Sequence, residues 1–540
     1  MTEVKFQPFF PYLNIRKEQE AAINFCIDAL KNGKKYVVVE AGTGCGKSAI
    51  GLTVARWFNA HDHTCSVDYE PGSYFVTTQK ILQAQYVKDF GSGRGTMCSI
   101  KSSSNYSCKF HKANNCQESQ RLLKMEDKQS SFFKSCSFAC TYKQSKAKFL
   151  ESKESVTNFP YFLTEAAFSG KITPRKFLVV DEAHNVETEL SKFVEVTVSE
   201  RFCKQVLKVT WPKKKTQYAV YKWVKDEYFP KAQSRLMHFE KQLEGLGIKA
   251  RIKEFTALTK QYEMLSSHVK KMETFIKVYN TDNWILEIVP PYDRAKEKFI
   301  FRPIDVAPFA KQYVTRLGKK VLFMSATILD KKTFCRSLGL PMDETTFISI
   351  PTPFPVENRP VIFSGSGNMS SKTIDRTLPK MAKAVEMILK EHAKEKGIIH
   401  CHTYKVANFL KRNIRSRRLL IHNSENRDAI LQKHIDSKTP TVLLSPSMSE
   451  GVDLHGDLSR FQIICKVPYP YLGDPLVRKR MHKFKGWYPM QVAKTVVQSV
   501  GRSVRSKDDR AVTYILDTDW LRFLNTNRKF FPKSFLDSLV

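Results

Sequence analysis

Long apolar stretches are missing from this 540-residue chain, and acidic residues are few. No run of about 18 apolar residues occurs, which argues against a membrane-spanning helix. The N-terminus, MTEVKFQPFF, lacks the basic and then apolar layout of a secretion signal, so we predict an intracellular protein. Only 53 Asp and Glu stand against 88 Lys and Arg, a formal net charge of +35. Such a charge attracts polyanions, above all nucleic acid; a basic surface that only aids solubility is the alternative.

Twelve cysteines are present, but no Cys-x-x-Cys pair occurs, which weakens the interpretation as a zinc ribbon. The segment from Gly93 to Ser155 is rich in Lys, Ser and Asn and lacks sustained apolar periodicity. Five of the twelve fall within a 43-residue window of it: Cys98, Cys108, Cys116, Cys136 and Cys140. Disulfides are rare inside cells, so metal ligation explains this clustering best, with buried free thiols as the alternative.

Two sets of short apolar runs alternate with helical stretches, which is typical of parallel α/β sheets. A chain of this length exceeds one hydrophobic core, so we predict three or four structural units. The predicted strands are Tyr36–Glu40, Tyr74–Thr78, Lys176–Asp181 and Lys320–Ser325, then Gly397–His400, Thr441–Ser445, Gln462–Cys465 and Val512–Leu516. Between 195 and 300, apolar residues recur at helical spacing and predict a helical insertion. They include Leu258, Tyr262, Leu265, Val269, Met272 and Ile276.

A glycine-rich motif, Ala41-Gly-Thr-Gly-Cys-Gly-Lys-Ser48, lies between the first predicted strand and a helix that starts at Ser48. Its glycines let backbone N–H groups approach phosphate oxygens at the helix N-terminus. Lys47 is suited to neutralise the β- and γ-phosphates, and the Ser48 hydroxyl is placed to bind Mg²⁺. The context predicts a P-loop rather than an unliganded turn, although Ala41 replaces the usual first glycine. The predicted phosphate-binding residues are Ala41, Gly42, Thr43, Gly44, Cys45, Gly46, Lys47 and Ser48.

Two acids, in Asp181-Glu-Ala-His184, follow directly after a predicted strand, at the sheet edge where doubly wound folds bind ligands. Nucleotide hydrolysis needs one carboxylate for Mg²⁺ and another to orient the attacking water. Asp181 and Glu182 suit these two roles, respectively. A helix-capping acid pair is the alternative for the tetrapeptide alone, but the upstream P-loop favours the catalytic interpretation.

Five motifs occur in a fixed order along the chain. After the P-loop and the DEAH box come Ser325-Ala-Thr327, Glu450-Gly-Val-Asp453 and Gln498-Ser-Val-Gly-Arg-Ser-Val-Arg505. This ordered set resembles the superfamily 2 helicases, and the cysteine-rich and helical insertions narrow the resemblance to the XPD/DinG-like group. Shorter matches support it over nearly the whole chain: Ser104–Cys108, Cys140–Tyr142, Val156–Asn158, Pro353–Phe354, Asn358–Arg359 and Pro468–Pro470.

The resemblance implies an α/β fold with two RecA-like P-loop NTPase domains and two insertions in the first. The first domain would comprise residues 1–92, 156–194 with the DEAH box, and 301–344 with the SAT motif. Residues 93–155 would form an iron–sulfur insertion, residues 195–300 a helical, arch-like insertion, and residues 345–540 the second RecA-like domain.

Residue roles also come from the resemblance. ATP contacts are implied for Arg16, Gln19 and Asp453, and catalytic roles for Gln498, Arg502 and Arg505, the arginines acting as fingers on the γ-phosphate. His184, Ser325 and Thr327 would couple hydrolysis to domain movement, and Thr77, Thr78 and Gln85 would contact the DNA backbone.

A 4Fe–4S cluster held by four cysteines is the cofactor that the resemblance implies beside ATP and Mg²⁺. The expected ligands are Cys108, Cys116, Cys136 and Cys140, with Cys98 as the alternate ligand because its context also matches the family. A zinc site is the rival interpretation, since thiolates bind both metals.

The function that follows is an ATP-dependent DNA helicase that moves 5′→3′ on single-stranded DNA and unwinds forked duplexes. A translocase that acts on RNA or strips proteins is the nearest alternative, and a binding module with a relic P-loop is a third. We expect a monomer without membrane attachment. Its compartment would be the cytoplasm or nucleoid of a bacterial or phage-infected cell, or the nucleus in a eukaryotic host.

Overall fold

A computed structural model describes residues 5–42, 44–64, 67–78, 80–91, 97–108, 115–124, 126–246, 252–293, 295–423, 425–446, 454–506 and 508–540. The strands of these residues are β1 (Tyr36–Ala41), β2 (Glu70–Thr77), β3 (Cys98–Ser99), β4 (Glu154–Asn158), β5 (Arg175–Asp181), β6 (Val196–Ser199), β7 (Trp284–Val289), β8 (Lys298–Pro303), β9 (Gly318–Ser325), β10 (Thr345–Ile350), β11 (Val361–Gly367), β12 (Gly397–His400), β13 (Leu419–Ile421), β14 (Val442–Ser445), β15 (Phe461–Ile464) and β16 (Val512–Asp517).

Helices connect and cover these strands: α1 (Lys17–Lys31), α2 (Lys47–His61), α3 (Lys80–Phe90), α4 (Cys116–Leu123), α5 (Ser131–Phe138), α6 (Thr141–Glu151), α7 (Phe159–Thr164), α8 (Val186–Val194), α9 (Glu200–Phe202), α10 (Gln217–Trp223), α11 (Phe229–Leu246), α12 (Ile252–Val278), α13 (Ala307–Tyr313), α14 (Lys331–Leu338), α15 (Ile374–Glu391), α16 (Tyr404–Asn413), α17 (Arg427–Asp436), α18 (Pro475–Lys483), α19 (Trp487–Val500), α20 (Asp519–Asn527) and α21 (Lys533–Leu536). Among the residues described, no helix is both long and apolar enough to cross a membrane.

The first domain is built on a seven-stranded parallel sheet in the order β10-β1-β9-β5-β2-β4-β3. Residues of β1 alternate between two apolar cores: Val37 and Val39 face one core, and Val38 faces the other. Both faces of the sheet are therefore buried, as parallel sheets require. Because β1, β9, β5 and β2 are neighbours and parallel, the segments that follow them meet at one edge of the sheet.

The second domain contains a six-stranded parallel sheet in the order β11-β16-β15-β12-β14-β13. Two apolar cores again cover its faces, one centred on α15 and α16 and the other on α19 and α20. The sequence prediction of two parallel α/β units is confirmed. The eight predicted strands are present, with ends that differ by up to four residues.

Two details differ from the sequence prediction of the domain limits. Residues Thr345–Ile350 pair with β1 and so belong to the first sheet, although we predicted that the second domain begins at 345. The insertion predicted as helical also contains an antiparallel sheet, β6-β8-β7, whose last strand ends at Pro303. Tyr36 of β1 pairs with Thr345, 309 positions away, and β6 pairs with β8 about 100 positions away. Local apolar spacing carries no signal for such distant pairs.

The two insertions contact each other. Arg121 of α4 donates to Glu263 of α12 at 2.7 Å, and the Arg121 side chain is nearly buried. The helical insertion otherwise forms as its spacing predicted: Leu265, Val269 and Met272 lie on the buried face of α12, which packs on α11. The ion pair therefore joins the cysteine-rich segment to the longest helix of the second insertion.

Candidate active site

The loop from Ala41 to Gly46 connects β1 to the N-terminus of α2, as the P-loop prediction requires. Gly44 and Gly46 have φ angles of +80° and +74°, a backbone region that side chains strongly disfavour. Arg16 Nη1 donates to the Gly44 carbonyl at 2.9 Å, and Gln19 Nε2 donates to the Cys45 carbonyl at 3.2 Å. Both residues assigned by resemblance to adenine contacts thus hold the phosphate loop. Thr43 lies outside the described residues.

The P-loop lies against the second domain. A Cβ atom at Gly44 would come within 2.5 Å of the Phe354 ring and 2.8 Å of the Arg505 carbonyl oxygen. Since Arg505 belongs to the last of the five motifs, the cleft between the two domains brings that motif to the nucleotide loop. Lys47 Nζ donates to the Ala41 carbonyl at 3.2 Å, across the same loop.

Asp181 and Glu182 follow β5, on the same sheet edge as the P-loop. Each Asp181 oxygen accepts one hydrogen bond: Oδ1 from the Glu182 backbone N–H at 2.9 Å and Oδ2 from the Tyr86 hydroxyl at 3.1 Å. Burial, and after it the charge of Glu182, raises the pKa of Asp181 to about 6, whereas Lys47 lowers it. A buried carboxylate near a serine hydroxyl is an oxygen donor set of the kind that suits Mg²⁺, so Asp181 and Ser48 fit that ion.

A hydrogen-bond network joins three motifs across the cleft. His184 Nδ1 is 2.7 Å from the Ser325 hydroxyl, and Gln498 Nε2 is 2.9 Å from His184 Nε2. Gln498 Nε2 also donates to Thr327 Oγ1 at 3.0 Å. Because the amide donates to Nε2, His184 carries its proton on Nδ1. The DEAH box, the SAT motif and α19 are therefore in direct contact, as the coupling roles of His184, Ser325 and Thr327 require.

The structure describes the other residues that were predicted to contact the nucleotide only in part. Arg505 lies at the cleft, where its backbone N–H donates to Asp509 at 3.1 Å. Burial is the main cause that lowers the pKa of His400, a residue of the second sheet, and the charge of Arg502 lowers it further. Asp453 lies outside the described residues. The roles of both arginines as fingers stay predictions.

The three predicted DNA contacts differ in exposure. Thr77 is fully buried at the end of β2, Thr78 is partly exposed, and Gln85 is exposed on α3. Thr78 and Gln85 can therefore face a strand directly, whereas the Thr77 side chain belongs to the core. Their contact with DNA stays a prediction.

Three of the clustered cysteines form a small buried core: Cys116, Cys136 and Cys140. The thiols of Cys116 and Cys140 are 3.6 Å apart, and burial raises the pKa of Cys116 to about 12. Cys108 is close enough to Cys136 to contribute to its raised pKa, although burial is the main cause. Cys98 instead lies in β3, paired with Ser155 of β4. This arrangement favours Cys108 over Cys98 as the fourth member of the set.

The cysteine thiols lie near one another, but they are not arranged around a single metal position. Within the described ranges, no group of three or more Cys, His, Asp or Glu is arranged to hold a metal. Soft thiolate donors nevertheless fit iron–sulfur or zinc chemistry. The separation of 3.6 Å is near the roughly 3.8 Å expected for two thiolates on one tetrahedral zinc.

Aromatic side chains around the cysteines divide into two groups. Tyr106, Phe132 and Tyr142 pack against the cysteine core, so their role is structural. Phe138, in contrast, is 81% exposed, and no feature of the sequence marked it. Tyr86, which bonds Asp181, was also missed, because no motif or spacing marks a tyrosine in the middle of a helix as a partner of the DEAH box.

The two parallel α/β domains have a P-loop and an acidic box at their cleft, and a glutamine from the second domain reaches the box. This is the architecture of a two-domain P-loop NTPase. Two family models match: "Type III restriction enzyme, res subunit" over residues 12–213 and "Helicase C-terminal domain" over residues 386–537. A solved structure entitled XPD helicase has the same fold, with a TM-score of 0.65, 14% identity and coverage of 96% of this chain and 98% of the other.

Curated relatives are similar in sequence. An ATP-dependent DNA helicase DinG of Photobacterium profundum is 28% identical over 257 residues, 44% of this chain and 36% of the relative. A probable ATP-dependent helicase of Methanocaldococcus jannaschii is 21% identical over 95% of this chain and 93% of its own length. The match thus spans only about a third of the DinG relative. The chain is thus similar in sequence to DinG and other ATP-dependent helicases, and similar in fold to an XPD helicase.

Proposed function

We propose that the protein is an ATP-dependent DNA helicase that translocates on single-stranded DNA and unwinds duplexes. The observation that carries this proposal is the contact of Gln498 with His184 and Thr327. A bond from the second domain to the DEAH box makes the geometry of the cleft depend on the state of the nucleotide site. Such coupling is what a motor needs and what a simple binding module lacks.

Each catalytic group then has a defined task. The P-loop amides and Lys47 hold the phosphates, and Glu182 orients the attacking water. Arg502 and Arg505 add positive charge at the γ-phosphate when the cleft closes. Mg²⁺, which Ser48 and Asp181 would hold, supplies charge neutralisation on the β- and γ-phosphates. Hydrolysis removes the γ-phosphate, the arginines lose their partner, and the cleft reopens.

The strand would cross both domains at the edge that carries Thr78 and Gln85. The contact of Arg121 with Glu263 joins the two insertions, so that they can form a ring around one strand. The net charge of +35 supports phosphate binding along this path. Movement in the 5′→3′ direction is implied by the family resemblance and is part of the proposal.

A 4Fe–4S cluster bound by Cys108, Cys116, Cys136 and Cys140 would stiffen the first insertion. The buried core of Cys116, Cys136 and Cys140 supports this role, while the short distance between Cys116 and Cys140 keeps zinc as the second candidate. Anaerobically purified protein should absorb near about 400 nm and contain about four irons per chain. One zinc and no colour would reject the cluster and leave the motor in place. Cys108→Ser should lose the metal, whereas Cys98→Ser should retain it.

The activity is tested with Lys47→Ala on forked DNA substrates. We expect loss of ATP hydrolysis and of unwinding, with single-strand binding kept, because Lys47 contacts phosphate and lies away from the strand. Lys34→Ala, at a partly exposed lysine before β1 whose Nζ donates to the Asp343 carbonyl, is the matched control and should hydrolyse ATP and unwind DNA as wild type does. Wild-type hydrolysis in Lys47→Ala would contradict the site. Stimulation by RNA without unwinding of any DNA fork would instead favour the RNA or protein-stripping translocase.

A further inference from the structure

Tyr86 is a buried tyrosine that touches both residues of the Mg²⁺ donor set. Its hydroxyl donates to Asp181 Oδ2 at 3.1 Å. Burial is the main cause that raises the pKa of the phenol, and the Ser48 side chain lies close enough to influence that pKa as well. The ring is 2% exposed and lies between Phe75 and Phe90, each about 5.8 Å away between ring centres. The phenol is therefore held rigidly, and one hydroxyl bridges the P-loop helix and the DEAH box.

The carboxylate of Asp181 depends on this bond for its orientation. Its two recorded partners are the Glu182 backbone N–H on Oδ1 and the Tyr86 hydroxyl on Oδ2. Buried polar groups are costly when left without partners, so each donor fixes one oxygen in place. A phenol is neutral, which means that it orients Asp181 without cancelling the negative charge that Mg²⁺ requires. A lysine or arginine at the same position would compete with the ion.

The helix that carries Tyr86 also connects to the predicted strand-binding edge. Helix α3 begins at Lys80, two residues after Thr78, and Tyr86 lies about two turns further on. Gln83 of the same helix donates to the Ile100 carbonyl at 2.7 Å and accepts from Asn158 at 3.2 Å. These bonds tie α3 to β4 and to the first insertion, so α3 moves with the surfaces that would contact DNA.

We propose that Tyr86 is a positioning residue that transmits strand binding at α3 to the Mg²⁺ ligands Ser48 and Asp181. The proposal deepens the helicase function and rests on it. When the strand engages the edge formed by Thr78 and Gln85, a small shift of α3 moves the Tyr86 hydroxyl. That hydroxyl sets the orientation of Asp181, and through it the affinity of the site for Mg²⁺ and nucleotide.

The test compares Tyr86→Phe with wild type, because phenylalanine keeps the ring packing and removes only the hydroxyl. Tyr228→Phe is the matched control: Tyr228 is also buried, and its hydroxyl bonds His268 at 3.0 Å in the helical insertion, far along the chain from the P-loop. The first readout is Mg²⁺ titration of the binding of a fluorescent, non-hydrolysable ATP analogue. The second is the ratio of ATP hydrolysis with and without a single-stranded oligonucleotide.

For Tyr86→Phe we expect a Mg²⁺ half-saturation about tenfold to a hundredfold higher, the size expected for one lost hydrogen bond to a charged group. Binding of the analogue in EDTA should stay at the wild-type level, which also shows that the P-loop is folded. The oligonucleotide should stimulate hydrolysis several-fold less than in wild type, and Tyr228→Phe should match wild type in each measurement.

Two results would overturn the proposal: an unchanged Mg²⁺ titration, or a changed titration with full stimulation by the oligonucleotide. The first rejects the link to the Mg²⁺ ligands, and the second rejects the link to the strand. Failure of the helicase proposal itself is recognised separately, because wild-type protein would then show no stimulation by DNA. In that case the titration of nucleotide binding still decides whether Tyr86 orients the Mg²⁺ ligands.

Discussion

At the scale of single residues, Gly46 shows how tightly the P-loop is specified. Its φ angle is +74°, and a Cβ atom would lie 2.2 Å from Gln19 Nε2. A side chain here would strain the backbone and push away the glutamine that holds the Cys45 carbonyl. Both the loop conformation and the contact with α1 therefore depend on Gly46 having no side chain.

Gly46→Ala should abolish binding of nucleotide, which a fluorescent ATP analogue measures. Gly33→Ala is the matched control, since Gly33 has a similar φ of +81° but nothing within 4 Å of its Cβ position. Both changes should cost about 1 kcal/mol of stability from backbone strain. Equal loss of nucleotide binding in the two variants would show that strain alone, and not the contact with Gln19, explains the effect.

At the scale of elements, the helical insertion contains a mostly buried histidine. The Nε2 atom of His268 in α12 is 3.0 Å from the Tyr228 hydroxyl, and burial lowers the pKa of His268 from 6.5 to about 4, with Lys271 adding to the effect. Below pH 6.5, His268 of the unfolded chain binds a proton, whereas His268 of the folded chain stays neutral until about pH 4. Stability is therefore fully present above pH 6.5 and is lost as the pH falls toward 4.

His268→Gln should reduce this acid sensitivity, because a glutamine amide can also form a hydrogen bond with the Tyr228 hydroxyl but does not titrate. The difference in unfolding free energy between pH 7 and pH 4.5 should shrink by about 2 kcal/mol relative to wild type. Urea unfolding at the two pH values measures it. His238→Gln, at an exposed position of α11, is the control. An unchanged difference in His268→Gln would mean that other groups cause the acid response.

At the scale of the whole molecule, one nearly buried arginine joins the two domains and the base of the helical insertion. Arg480 of α18 pairs with Glu187 of α8 at 2.9 Å and donates to the Ile304 carbonyl at 2.9 Å. Trp487 of α19 donates to the same glutamate at 3.1 Å. Glu187 lies only three residues after His184, so this contact supports the interface close to the network that couples the domains.

Glu187→Ala should leave the Arg480 charge buried without its ion pair and cost about 3 kcal/mol of stability. Amide exchange should become faster in both α8 and α18, because the interface opens from both sides. Glu189→Ala removes an acid of the same helix that pairs with the exposed Lys192 at 3.1 Å, and should cost less than about 1 kcal/mol. If the two variants unfold alike, the ion pair with Arg480 does not hold the domains together.

Much of this organisation follows from local sequence. The strands around Val38 and Val179, the phosphate loop and the acidic box are encoded by short runs of apolar residues and glycines in direct succession. The antiparallel sheet at the base of the helical insertion was not predicted: its local β7–β8 hairpin was missed, and β6 joins the sheet only by pairing with β8 about 100 positions away. The same reason places Thr345–Ile350 in the first sheet.

The sequence by itself determined the principal strands of the two parallel sheets, the order of the motifs and the chemistry of the nucleotide site, because local conformation and residue type can be read from near neighbours. Only the tertiary structure decided which side chains meet. Gln498 reaches His184 across 314 positions, Arg121 reaches Glu263 across 142, and Tyr86 reaches Asp181 across 95. Such contacts arise when parallel strands end at one edge and two domains close on a cleft, and no spacing along the chain records that packing.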